Sequence, residues 1–141
     1  MKWIVAGVSL ILGACVSDNS ELPPLAVDQS QPVLALFEHV LKGHFATAGA
    51  NAPTICASLR PGPLSAEQEQ ALIARLVRLA PKSRCESSAQ LVEVYDFACR
   101  TPSQCTGWVS APGAPARRYA MNFENGAWRF TADPRLISDV H

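Results

Sequence analysis

The chain has 141 residues, with twelve Lys and Arg balanced by twelve Asp and Glu for a formal charge of zero, and 48% of its residues are hydrophobic. Near-neutral charge with scattered arginines gives no electrostatic reason to expect nucleic-acid binding, and the length suits one domain once a leader is set aside. Five cysteines are an odd number, and an exported chain must account for the odd one.

The N-terminus opens with one charge, Lys2, followed by an apolar run from Trp3 to Leu12. That run is too short to span a bilayer and fits the core of a signal peptide. It ends in Leu12-Gly13-Ala14-Cys15. This tetrapeptide resembles the bacterial lipobox. The resemblance implies cleavage before Cys15, diacylglycerol on its sulfur and fatty acyl chains such as palmitate anchoring the chain to membrane. Val16 follows in place of the aspartate that favours inner-membrane retention in the best-known sorting system, so the expected location is the periplasmic face of the outer membrane. With Cys15 acylated, Cys56, Cys85, Cys99 and Cys105 remain as an even set suited to two disulfides in an oxidising envelope.

Residues 1–14 are therefore expected as a lipoprotein signal peptide, 15–30 as the lipidated cysteine and a flexible tether, and 31–141 as a single domain. The tether assignment rests on Asp18-Asn19-Ser20 and Pro23-Pro24 and on the lack of apolar periodicity. From Val33 to about Phe45, apolar residues at Val33, Leu36, Phe37, Val40, Leu41 and Phe45 predict a helix. Gly49, Asn51 and Pro53 stop it, Thr54–Leu59 reads as a short strand, and Arg60-Pro61-Gly62-Pro63 must turn. Ser65 with Gln68 forms a capping-box pattern that opens a second helix, expected to run to about Leu79 with Leu72, Ile73, Leu76, Val77 and Leu79 buried and Pro81 as its stop.

Beyond Cys85 the periodicity alternates. Leu91, Glu93, Tyr95 and Phe97 are expected on one face of a strand, with Val92, Val94 and Asp96 on the other. Trp108 and Val109 mark a shorter strand, and Ala111-Pro112-Gly113-Ala114-Pro115 the next turn. Asn125-Gly126 between Arg118–Phe123 and Ala127–Phe130 is the preferred dipeptide for a type I′ hairpin. The register places Phe123 against Trp128 and Met121 against Phe130 on a core face, and Asn122 against Arg129 on a wet face. The expected class is α+β: two helices packed on a mostly antiparallel sheet of four to five strands ending in that hairpin. Whether the early strand joins the sheet is open. The element order and terminal aromatic hairpin resemble the nuclear-transport-factor-2-like fold, which implies a curved sheet enclosing a pocket.

Four cysteines allow three pairings. The local one, Cys99–Cys105 across a tight turn and Cys56–Cys85 between early strand and later loop, is expected, and no Cys-x-x-Cys supports a zinc or redox site. His39 and His44, five residues apart on a helix, diverge by roughly 140° and do not form an i, i+4 metal pair. His39 is expected to face water, His44 to border the apolar stripe, and His141 to lie at a frayed end. Glu93 and Asp96 are expected on opposite faces of their strand, with Asp96 lining a pocket only if the sheet curves. Arg75, Arg78, Lys82 and Arg84 form a positive cluster at the end of the second helix, where cations are expected to complement that helix's C-terminus and exposed carbonyls.

No sequence motif identifies a catalytic residue, a metal site or a cofactor. The leading expectation is a non-enzymatic envelope lipoprotein, held to the membrane by its anchor, that binds a protein or another envelope component. Two alternatives stand beside it. One is a small-ligand or enzymatic domain with a pocket lined by Trp108, Tyr119, Phe123, Trp128 and Phe130. The other is a periplasmic immunity or inhibitor protein.

Overall fold

A computed structural model of the chain describes residues 22–49 and 51–133. The signal peptide, the lipobox with Cys15, residues 16–21 of the expected tether, and His141 lie outside the described residues.

A 3-10 turn at Leu25–Val27 leads into helix α1, Pro32–Thr47, whose first position is a proline with its ring torsion already suited to a helix. Strand β1, Ile55–Leu59, precedes helix α2, Ala66–Arg75. At the start of α2 the Gln68 amide donates to Ser65 Oγ at 3.1 Å, while the Ser65 amide donates to Gln68 Oε1 at 2.9 Å, so both members of the capping box are made. Strand β2 is Leu79–Ala80, followed by β3 Leu91–Thr101, β4 Gln104–Ala111, β5 Ala114–Glu124 and β6 Ala127–Asp133.

All six strands form one mixed sheet in the order β2-β1-β3-β4-β5-β6. The class is α+β, but the sheet is larger and less antiparallel than four to five strands. Strand β1 lies inside it, parallel to β2 on one side and to β3 on the other, and only β3 to β6 form an antiparallel meander. The extra strand comes from a helix that ends early. Leu76 takes extended torsions (φ −124°, ψ 92°), Leu79 pairs with Ile55, and Val77 projects into solvent at 94% exposure rather than joining a buried stripe. An apolar pair three apart, Leu76 and Leu79, fits a turn feeding a strand as well as a helix, and the amide of Leu79 does bond the carbonyl of Leu76 at 2.9 Å.

Strand β3 departs from simple alternation. Asp96 adopts φ 52°, and the register shifts between Tyr95 and Ala98. This bulge turns Phe97 onto the same face as Val92 and Val94, and Asp96 out into solvent, reversing the faces expected for both. Phe97 then rests over Gly107 of β4, where an added Cβ would meet the Phe97 ring at 2.8 Å and Leu36 at 3.1 Å. Glycine is what lets ring and helix approach the strand. In the last hairpin, Asn125 (φ 54°) and Gly126 (φ 81°) make the turn, Phe123 lies opposite Trp128, and Met121 opposite Phe130.

Both helices cover one face of the sheet. Leu36, Phe37 and Leu41 of α1 and Leu72 of α2 are fully buried with Ile55, Val92, Val94, Met121 and Trp128 in one continuous core. The folded domain starts earlier than residue 31. Leu25 is buried in that core, and four contacts lash residues 23–29 down as a strap. The Leu25 amide donates to Glu38 Oε1 (2.8 Å), Trp128 Nε1 to the Asp28 carbonyl (3.2 Å), Arg75 Nε to the Pro23 carbonyl (3.0 Å) and Gln29 Nε2 to the Pro102 carbonyl (3.1 Å). The polar, proline-bearing sequence that suggested a tether supplies its own backbone groups as the partners, which apolar periodicity cannot reveal.

Candidate functional site

The other face of the sheet carries no helix, and its residues fall into three cross-strand rows. Tyr95, Trp108, Arg118 and Asp133 are directly opposite one another on β3, β4, β5 and β6. The next row is Ala98, Thr106, Ala120 and Thr131, and the third is Thr101, Gln104, Asn122 and Arg129. Large groups in the outer rows over small ones in the middle leave a groove of about 560 Å³. Ala98, Thr106 and Ala120 line its floor, Arg118 one wall, and Arg100 with Gln104 and Asn122 the other. No carboxylate lines this groove, while two guanidinium groups do.

The first row is stiffened by stacking. Tyr95 and Trp108 lie nearly parallel (14°) with centroids 6.3 Å apart, and the Arg60 guanidinium sits 4.7 Å over the other side of the row on the Tyr95 ring. Glu93 holds Arg60 there through an ion pair at 3.1 Å and also accepts a bond from Ser58 Oγ at 3.2 Å. Glu93 is thus occupied in positioning an arginine, and Asp96, displaced by the bulge, does not meet it. Arg100 is steadied more loosely, by a 3.4 Å bond to Gln104 Oε1. Such a surface can bind planar anionic groups: two fork-shaped donors flank a shallow, small-residue floor.

The expected aromatic pocket divides between the two faces. Trp108 belongs to the open face, whereas Phe123, Trp128, Phe130 and Tyr119 pack into or against the core, with Trp128 buried. The aromatic hairpin face is thus covered by α1 and the strap, with Tyr119, Phe123 and Phe130 partly exposed at its margin.

His39 and His44 both border a second cleft, about 400 Å³, between α1 and the β4–β5 turn, with Arg117 and Tyr119 on its far side. His39 remains exposed, as expected, but one ring face lies flat on Phe130 at 4.2 Å and Tyr119 meets its edge at 6.0 Å. The loss of water on that side lowers its pKa below the usual 6.5. His44 packs edge-on against Phe45. Among the described residues no group of three His, Cys, Asp or Glu side chains is placed to hold a metal ion.

Two disulfides are present, Cys56–Cys85 and Cys99–Cys105. The first ties β1 to the loop after β2, and the second closes the β3–β4 turn beside the groove, so both Cys99 and Cys105 also touch the groove lining. In the basic cluster, Arg75 donates to the Ala71 carbonyl in the last turns of its own helix, as expected, whereas Arg78 serves the other helix, donating to the carbonyls of Phe45 and Gly49 at the end of α1. Asp28 in the strap has its pKa lowered by the Ser30 hydroxyl and amide that bond it.

Two functional features escaped sequence reasoning. The groove arginines, Arg100 and Arg118, come to face the same groove only through the strand register. Glu38, 3% exposed, holds the strap, and its spacing four after Leu34 and three before Leu41 does put it on the buried stripe. Comparison with protein-family models, with curated proteins and with solved structures finds no match to this chain.

Proposed function

We propose that the chain is a non-enzymatic, lipid-anchored binding module of the bacterial cell envelope, attached through Cys15 at the periplasmic face of the outer membrane, and that it receives an acidic partner on the open face of its sheet. The observation that carries the binding reading is the groove between Arg100 and Arg118, which has cationic walls, a floor of small side chains and no carboxylate in its lining. The lipobox residues carry the address, and two disulfides fit an oxidising compartment. An interior ligand pocket finds less support, because the hairpin aromatics that would line it pack into the core or against it.

The test has two readouts in cells. Labelled palmitate should enter the wild-type chain and not Cys15→Ser, with the variant released from the membrane fraction. A photo-crosslinking residue at Thr106 on the groove floor should give discrete adducts that one at exposed Ser87 does not, and Arg100→Glu with Arg118→Glu should abolish them. Equal adducts at both positions, or adducts indifferent to charge reversal, would remove the groove from the function.

A further inference from the structure

We infer that the surface around the end of α2, formed by Val77, Arg78, Lys82 and Arg84, is a docking face for a bilayer with anionic headgroups, and that it orients the domain on the membrane. The inference rests on the proposed acylation of Cys15. Between that residue and Leu22, where the described structure begins, lie six residues, Val16 to Glu21. Six residues span at most roughly 22 Å fully extended. Because the strap is bound to the domain from Pro23 onward, no further slack is available, and the side of the domain where the strap enters is kept beside the lipid surface.

The strap enters at the end of α2. Arg75 Nε holds the Pro23 carbonyl at 3.0 Å, and Val77 follows two residues later. Val77 projects almost fully into water at 94% exposure, and Leu22 at the mouth of the strap is 46% exposed. Around them stand four cations. Arg75 and Arg78 have their heads on backbone carbonyls, whereas Lys82 and Arg84 are exposed, with no side-chain hydrogen bond or ion pair among the described residues. Two carboxylates lie nearby: Glu69, which accepts the Lys82 amide at 2.8 Å, and exposed Glu86, so the cluster keeps an excess of positive charge. Val77, Arg78 and Arg84 border one shallow hollow with Phe45 and Ile73, which places the protruding apolar group and two of the cations on one surface.

An apolar tip flanked by cations suits a headgroup layer, where the tip enters the interface and the heads of Lys82 and Arg84 meet lipid phosphates. Such contacts are too weak to recruit a free domain. A short covalent tether supplies the high local concentration that makes weak contacts count. In the docked pose the end of α2 and the β2 edge of the sheet face the lipid, and the opposite edge, β6, lies away from it.

The experiment uses the processed full-length lipoprotein reconstituted into vesicles of phosphatidylethanolamine and phosphatidylglycerol carrying a headgroup-linked quencher. A fluorescent amino acid is placed at exposed Ser83 or, on the opposite side, at exposed Thr131. Quenching at Ser83 should exceed that at Thr131 several-fold. Lys82→Glu with Arg84→Glu should reduce the docked population roughly tenfold, as should pure phosphatidylcholine vesicles, and Val77→Glu should weaken it as well. Flotation with the vesicles but equal quenching at the two positions would overturn the docking face, as would quenching indifferent to both variants. Loss of flotation altogether, with Cys15 unmodified by mass spectrometry, would instead overturn the anchor on which the inference rests.

Discussion

The two faces of the sheet are built from alternate residues of the same strands, yet they obey different rules. On the covered face Val92, Val94, Phe97, Met121 and Trp128 meet α1 and the strap, and side-chain volume decides what fits. On the open face Arg60, Tyr95, Trp108 and Arg118 meet one another across strands and then water, and what matters is charge and stacking. The same residue type therefore means different things by parity: Trp128 is buried in the core, whereas Trp108 stacks on Tyr95 at the open surface.

Truncation on each side breaks that comparison most strongly. Phe37→Ala removes a fully buried ring at the centre of the covered face and should cost about 3–5 kcal/mol in denaturant unfolding. Trp108→Ala removes a stacked but partly exposed ring and should cost about 1 kcal/mol or less. If Trp108→Ala proves as damaging as Phe37→Ala, the open face is a second core and not a free surface.

The disulfides sharpen the contrast at intermediate size, because one sits under the sheet's parallel half and the other beside the groove. Chain-entropy arithmetic gives about 3.6 kcal/mol for the ring closed by Cys56–Cys85 and about 2.4 kcal/mol for the shorter Cys99–Cys105 ring. Replacing Cys56 and Cys85 by alanine should therefore lower the unfolding midpoint more than replacing Cys99 and Cys105. The second pair of substitutions should instead disturb Arg100, one residue from the bridge, and weaken the groove crosslinks. An inverted order of stabilities would show that the β3–β4 turn, and not the β1 connection, limits unfolding.

Much of the covered face was legible before the fold was seen, and most of the open face was not. Local signals carried the first: the stripe from Val33 to Phe45, the Ser65 and Gln68 cap, and Asn125-Gly126, whose two positive φ angles match the turn that dipeptide favours. What failed was any inference needing a partner distant in sequence. A two-residue strand at Leu79–Ala80 exists only because Ile55 and Cys56 lie beside it. The bulge at Asp96 is invisible to a period-two reading, and it moved Phe97 and Asp96 to opposite sides from those expected. The groove arginines are eighteen residues apart and come to line one groove through register, which no linear pattern records.

The smallest effect is a pH dependence from His39, which stands at the margin between the covered face and water. Stacking on Phe130 strips solvent from one side of its ring and depresses its pKa below 6.5 in the folded chain. As pH falls through the usual value, the unfolded chain takes up a proton before the folded one does, so protonation pulls the equilibrium toward unfolding. Its contribution is therefore whole above about 6.5 and is lost as pH falls from there through the folded-state value. Asp28, whose pKa is lowered from 3.8, keeps its contribution above that value and loses it only in more acid solution, so the two ranges separate. The measurement is urea unfolding at pH about 8 and about 5 for the wild type and for His39→Phe, which keeps the stacked ring and removes the titration. The wild type should lose more stability than the variant over that interval. Equal losses would mean that the ring face on Phe130 is hydrated in solution, and that the covered face ends one residue short of His39.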